Sequence, residues 1–153
     1  MPSVRKGIFI VSLFTFVGMF ISACSDQNAS SLDNNKVAGR WYSDNQVSAG
    51  EKTYNKNCMV CHLKNAVGTT DWKKTLEDGS YPPPPLNGSA HAWHHSIEVL
   101  MNVVQEGGTN YGGKMPPFKD VLTEQEQRAV IAYFQSFWSD EIYSRWQKIS
   151  EQN

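Results

Sequence analysis

Cys58-Met59-Val60-Cys61-His62 decides how the rest of this chain is read. It is a C-x-x-C-H pentapeptide, the covalent attachment signature of a c-type haem. Two thiols add across the two vinyl groups of one porphyrin, and a histidine directly after the second thiol is delivered to the iron as an axial ligand. A bare C-x-x-C also reads as a redox dithiol, half of a zinc site or a plain disulfide. The dithiol reading wants a surrounding βαβ pattern, which this sequence lacks. The zinc reading wants a second ligand pair at finger spacing, whereas the remaining histidines, His91, His94 and His95, lie far along the chain. With one pair of motif thiols, one covalent haem is expected.

The third cysteine has its own setting. Arg5 and Lys6 form a positive segment, and the stretch from Gly7 to Ala23 is almost wholly apolar before it ends in Ile21-Ser22-Ala23-Cys24. A branched apolar residue, two small residues and a cysteine resemble a bacterial lipobox, which directs a lipid onto the thiol and cleavage just before it. The competing readings are an ordinary signal peptide with an incidental cysteine and an uncleaved anchor. Residues 1–23 are therefore read as a signal peptide, residues 24–40 as the lipidated Cys24 and a polar, flexible tether, and residues 41–153 as one folded domain. Two or more acyl chains hold a protein stably on a membrane without a span, so a lipid-anchored protein facing the periplasm is expected.

Loss of residues 1–23 takes Lys+Arg from 14 to 12 against 15 Asp+Glu. The resulting charge of −3 is too mild to indicate a nucleic-acid partner. A domain of about 110 residues is marginal if side chains alone form its core, and a buried haem supplies the missing apolar mass.

Hydrophobic spacing predicts an all-α domain. Ser43-x-x-Gln46 is a capping box that opens a helix running toward Asn57. Ser96 precedes Ile97, Leu100, Met101 and Val104, spaced i, i+3, i+4, i+7, and Gly107-Gly108 stop that helix. Thr123-x-x-Glu126 opens a third helix with Val130, Ile131, Phe134, Phe137 and Trp138 on its apolar face, continued past a bend near Ser139-Asp140 through Ile142, Trp146 and Ile149. No strand pair is legible, and the loops are marked by glycines and by four consecutive prolines, Pro82 to Pro85.

The sixth iron position separates electron transfer from ligand binding and catalysis. Of five methionines, Met1 and Met19 leave with the signal, Met59 lies inside the attachment motif, and Met101 falls on an apolar helix face. Met115 remains. Gly112-Gly113 let the backbone approach a bulky group and Pro116-Pro117 stiffen the chain after it, which suits a thioether held at fixed depth, although a buried methionine in a Gly/Pro loop is the plain alternative.

Here residues 41–150 resemble the class I c-type cytochromes. Gly50-x-x-x-Tyr54-x-x-x-Cys58 is similar to that family's first helix, whose glycine and aromatic cross the terminal helix, and the facing aromatic falls on Tyr133. Pro84-x-Leu86-x-Gly88 resembles the segment whose proline carbonyl accepts a hydrogen bond from the proximal histidine. Met115-Pro116 resembles the distal ligand loop. The resemblance implies the cytochrome c fold, a haem c held by Cys58 and Cys61, axial ligation by His62 and Met115, and orientation of His62 by Pro84. The long stretch from Leu63 to Tyr81 departs from the simplest family pattern.

His91-Ala92-Trp93-His94-His95 fits a polar loop before a helix, donors at a haem edge, or a second metal site such as copper; no Cys, Asp or Glu completes a ligand set locally. Trp41, Trp72 and Trp93 read as core or rim packing, with an indole N–H reaching a haem propionate as the sharper reading. The function expected is single-electron transfer by a monomeric monohaem carrier, with redox proteins of the periplasm or respiratory membrane as partners. Two rivals stand beside it. One is a haem enzyme or gas sensor with a displaceable Met115, and the other is a subunit that feeds electrons into a larger oxidoreductase.

Overall fold

The computed structural model describes residues 37–151. The expected signal peptide, the lipidation site Cys24 and most of the tether lie outside the described residues. Among those described there are five α-helices: α1 Asp44–Asn57, α2 Met59–His62, α3 Ile97–Glu106, α4 Glu124–Gln135 and α5 Asp140–Ser150. They contain no strand, and a single parallel bridge joins Tyr81 to Gly113. The domain is all-α, as the periodicity requires.

Both capping boxes form. The Ser43 hydroxyl accepts from the Gln46 amide while the Gln46 side chain accepts from the Ser43 amide. Thr123 and Glu126 do the same at the start of α4. Each box satisfies two amides that a helix start leaves without an intrahelical partner. Ser96 sits at the N-cap of α3 without a side-chain cap bond, and Gly107 ends that helix at a φ of 83°.

The α1–α4 crossing organises the core. A Cβ at Gly50 would lie 1.9 Å from the Ala129 carbonyl oxygen and 2.9 Å from Tyr133 Cβ, so only glycine admits this approach. One turn on, the Tyr54 and Tyr133 rings meet at 5.0 Å between centroids. Gly50→Ala is accordingly expected to force the two helices apart, costing at least about 3 kcal/mol, the upper end for overpacking against backbone that cannot relax. A denaturant midpoint unchanged from the wild type would refute the close crossing.

The third predicted helix is two. Ser139 caps α5 by accepting from the Ile142 amide, because the chain turns at Phe137-Trp138 and restarts. Phe137, placed on the buried face by periodicity, is substantially exposed, whereas Val130, Ile131, Phe134 and Trp138 are buried. Tyr143 and Trp146 carry most of the buried face of α5. Packing also reaches further back than Trp41: Val37 lies against the core, and Arg40 bonds both the Trp138 carbonyl at 3.3 Å and Asp140 at 2.6 Å.

Candidate haem-binding site

The attachment motif is welded to the end of α1. Cys58 donates its amide to the Tyr54 carbonyl at 2.8 Å, and its own carbonyl accepts from Cys61 and His62 at 3.1 and 2.9 Å. The two thiols thus sit on one helical turn, Cys58 half-buried, Cys61 exposed, with no disulfide between them. Burial, with Cys61 beside it, pushes the Cys58 thiol up to about 11, so it is held protonated at neutral pH.

His62 is oriented from behind. Its ring is buried, and Nδ1 lies 2.9 Å from the Pro84 carbonyl oxygen. A carbonyl only accepts, so Nδ1 carries the proton and donates. Burial lowers the histidine's pKa, with the Pro84 carbonyl pulling the other way, which favours the neutral ring at pH 7. The Nε2 lone pair is then the free one, and Nε2 has no hydrogen-bond partner among the described residues.

The proline run explains how that carbonyl is presented. Prolines have no N–H, so Pro82 to Pro85 offer acceptors and no donors. Pro83 accepts from the Thr69 amide at 2.9 Å, Pro84 from His62, and beyond them Leu86 donates to the Ala66 carbonyl at 2.8 Å. Between the two strips of chain stands Gly68, at a φ of 56°, where a Cβ would come within 2.3 to 2.5 Å of three backbone atoms of Pro84 and Pro85. The loop that reaches this position is bent hard: Leu63, Asn65 and Ala66 all have φ between 55° and 61°. Non-glycine residues adopt such angles at some cost in free energy, and the surrounding bonds have to impose them. One such bond is the Tyr54 hydroxyl to the Leu63 carbonyl at 2.7 Å.

Met115 is half-buried against the core. Its carbonyl accepts from the Gly108 amide at 2.9 Å, and a Cβ at Gly107 would fall 2.5 Å from that carbonyl oxygen, so the two glycines that stop α3 also make room for this loop. Phe118 then bonds back to the Val104 carbonyl at 3.0 Å. Met101, by contrast, is buried core on α3.

A covalently attached haem fits these residues. The chain presents two unpaired thiols one turn from an imidazole whose Nε2 has no partner among the described residues. Val60, Leu63 and Val67 beside them are exposed, apolar surface that a large apolar group can cover.

The histidine loop packs against its neighbours. The His91 ring stacks on Trp72 at 4.5 Å and meets His95 edge-on at 5.3 Å. The His95 carbonyl accepts from the Trp146 indole at 2.9 Å, which ties this loop to α5. No group of three or more His, Cys, Asp or Glu among the described residues is placed to hold a metal ion. The Trp41 indole donates to Gln135 at 2.6 Å and is a packing group. Sequence reasoning missed Gly68, Tyr143 and Arg40; only Gly68 carried a signal, as a glycine in the stretch that departs from the simplest family pattern.

Residues 45–134 match the family model described as cytochrome c oxidase, cbb3-type, subunit III. The chain belongs to this family. Relatives include the cbb3-type cytochrome c oxidase subunit FixP of Sinorhizobium medicae (strain WSM419), 26% identical over 142 residues, covering 86% of this chain and 46% of that protein. The cytochrome c subunit of the quinone alcohol dehydrogenase of Gluconobacter oxydans (strain 621H) is 29% identical over 102 residues, 62% of this chain and 19% of its own length. FixP of Rhizobium meliloti (strain 1021) is 28% identical over 112 residues, 71% and 36%. The chain thus spans less than half the length of these relatives. No solved structure matches. This subunit III family member is a c-type cytochrome of cytochrome c fold, with covalent haem c and an electron-transfer role. Helix α5 lies beyond the matched residues.

Proposed function

We propose that the chain carries single electrons on one haem c, joined to Cys58 and Cys61 and ligated by His62 and Met115. The observation that carries this reading is the Pro84 carbonyl on Nδ1, which leaves the Nε2 lone pair of His62 free, one turn from two unpaired thiols. The haem supplies the one-electron couple. Pro84 raises the basicity of His62 and fixes its ring, the thiols prevent loss of the group, and the Gly/Pro loop limits how far Met115 moves between oxidation states. Little rearrangement keeps electron transfer fast. Acid-acetone treatment is the test: the colour should stay with the protein at one haem per chain, and extraction of free haem or a ratio of two would defeat the assignment.

The protein is placed by this reading on the periplasmic side of a bacterial membrane, held by lipid on Cys24, with residues 24–40 as the tether and redox proteins of the respiratory membrane as partners. The apolar run before Cys24 supports it, and no helix among the described residues is long and apolar enough to cross a membrane. Cys24→Ser should yield a soluble form or an unprocessed precursor, measured by membrane fractionation with a fatty-acid label. Unchanged acylation and retention would place the anchor elsewhere.

A second reading is favoured by the relatives' names, which describe subunits of a cytochrome c oxidase and of a quinone alcohol dehydrogenase. In it the chain feeds electrons within a larger oxidoreductase. Stable co-purification with catalytic subunits separates this reading from a free carrier.

A further inference from the structure

The stretch from Thr69 to Tyr81 begins and ends beside His62 and touches Met115's loop at its far end. Gly68 donates to the His62 carbonyl at 2.9 Å and Thr69 to Pro83; at the other end Tyr81 leads directly into Pro82 to Pro85. Its tip is a closed turn. Gly79 donates to the Leu76 carbonyl, Leu76 to the Ser80 carbonyl, and Asp78 Oδ1 accepts from both the amide and the hydroxyl of Ser80 at 3.0 and 2.6 Å. Those two bonds fix the carboxylate so that its other oxygen, Oδ2, pairs with Lys114 Nζ. Three residues on, Tyr81 donates to the Gly112 carbonyl at 2.8 Å, and its ring lies against Gly112, where a Cβ would meet Tyr81 Cδ2 at 3.2 Å. The contacts therefore fall on Gly112, Gly113 and Lys114, the three residues immediately before Met115.

From these contacts we infer that residues 69–81 are a strap that holds the Met115 loop closed, with Asp78 as its positioning residue. This rests on the proposed ligation by Met115 and adds to it a role for the stretch from Thr69 to Tyr81. The loop is also held within itself by the bonds of Gly108 to Met115 and of Gly113 to Gly108, at 2.9 and 3.0 Å. The strap adds to these one backbone bond, one ring contact and one ion pair. Both partners of that ion pair are substantially exposed, so it makes a modest, salt-sensitive contribution to the closed loop and a small one to global stability.

The test uses the full, haem-loaded chain and reads how often the sixth position opens, as the rate at which carbon monoxide binds the reduced protein. Asp78→Lys, which sets two like charges together, should raise that rate roughly two- to fivefold, the range open to an exposed pair, with the thermal midpoint hardly moved. The exchange D78K with K114D should bring the rate back toward the wild type, short of it by what the two lost Ser80 bonds contribute. Added salt should speed binding in the wild type and leave Asp78→Asn unaffected. Rates that are equal in wild type, Asp78→Lys and the exchange overturn the strap while leaving Met115's ligation standing. A wild type that lacks the methionine-to-iron charge-transfer band and binds carbon monoxide as fast as Met115→Ala overturns the ligation itself, and the strap with it.

Discussion

Gly68→Ala is expected to raise the reduction potential of the loaded protein and to destabilise its fold, because one methyl group would enter the contact that orients His62. The added Cβ would lie within 2.5 Å of the Pro84 carbonyl carbon and oxygen and within 2.3 Å of the Pro85 nitrogen, at a backbone φ of 56°. Neither strip can yield alone. The proline side is stiff, and the Gly68 side is pinned by its own amide to the His62 carbonyl and by Thr69 to Pro83. The positive φ and the steric contact together should cost about 3 kcal/mol or more. Opening the gap pulls the Pro84 oxygen off Nδ1. An imidazole that no longer donates to a carbonyl is a weaker base, which stabilises the oxidised iron less, so the potential moves up. If the bond differs by about 1 kcal/mol between oxidation states, the shift is roughly 40 mV for a one-electron couple. Voltammetry and a denaturant titration on the same sample measure both. A variant with wild-type stability and potential would show that Pro84 does not hold His62 through this contact.

The helices were legible because their signals are local. Ser43 with Gln46 and Thr123 with Glu126 sit three residues apart, and each box forms where its sequence places it. Gly50 and Tyr133 were legible only through resemblance, since nothing local tells a glycine in α1 that it faces the Ala129 carbonyl. The break before α5 was half legible: a bend was expected near Ser139-Asp140, but periodicity carried Phe137 onto the buried face because the chain leaves α4 earlier, at Ser136. Least legible was the stretch from Leu63 to Tyr81. Its shape depends on bonds to carbonyls far away in sequence and on three non-glycine residues at positive φ, an arrangement that no propensity favours. The histidine loop shows the same limit. His91, His94 and His95 leave three readings open in one dimension, and nothing local announces that the His91 ring stacks on Trp72.

Met115→Ala is expected to move the potential the other way and further. The side chain is half-buried, so its loss costs the fold about 1 to 2 kcal/mol, which the domain should survive with its haem still joined at Cys58 and Cys61. On the proposed ligation, what changes is the sixth iron position. A thioether favours the reduced iron, and replacing it by water or leaving it open should lower the potential by more than about 100 mV, a modest share of the ~0.8 V that axial ligation spans. Carbon monoxide should bind the reduced variant without the delay that methionine departure imposes on the wild type, and the methionine-to-iron charge-transfer band should vanish from the oxidised spectrum. The signs make the pair of variants informative together: Gly68→Ala acts on the His62 side and raises the potential, Met115→Ala acts on the far side and lowers it. A Met115→Ala protein whose potential, spectrum and carbon monoxide kinetics match the wild type would remove Met115 from the iron, and the reading of this cytochrome as a haem enzyme or gas sensor would then gain over that of a carrier.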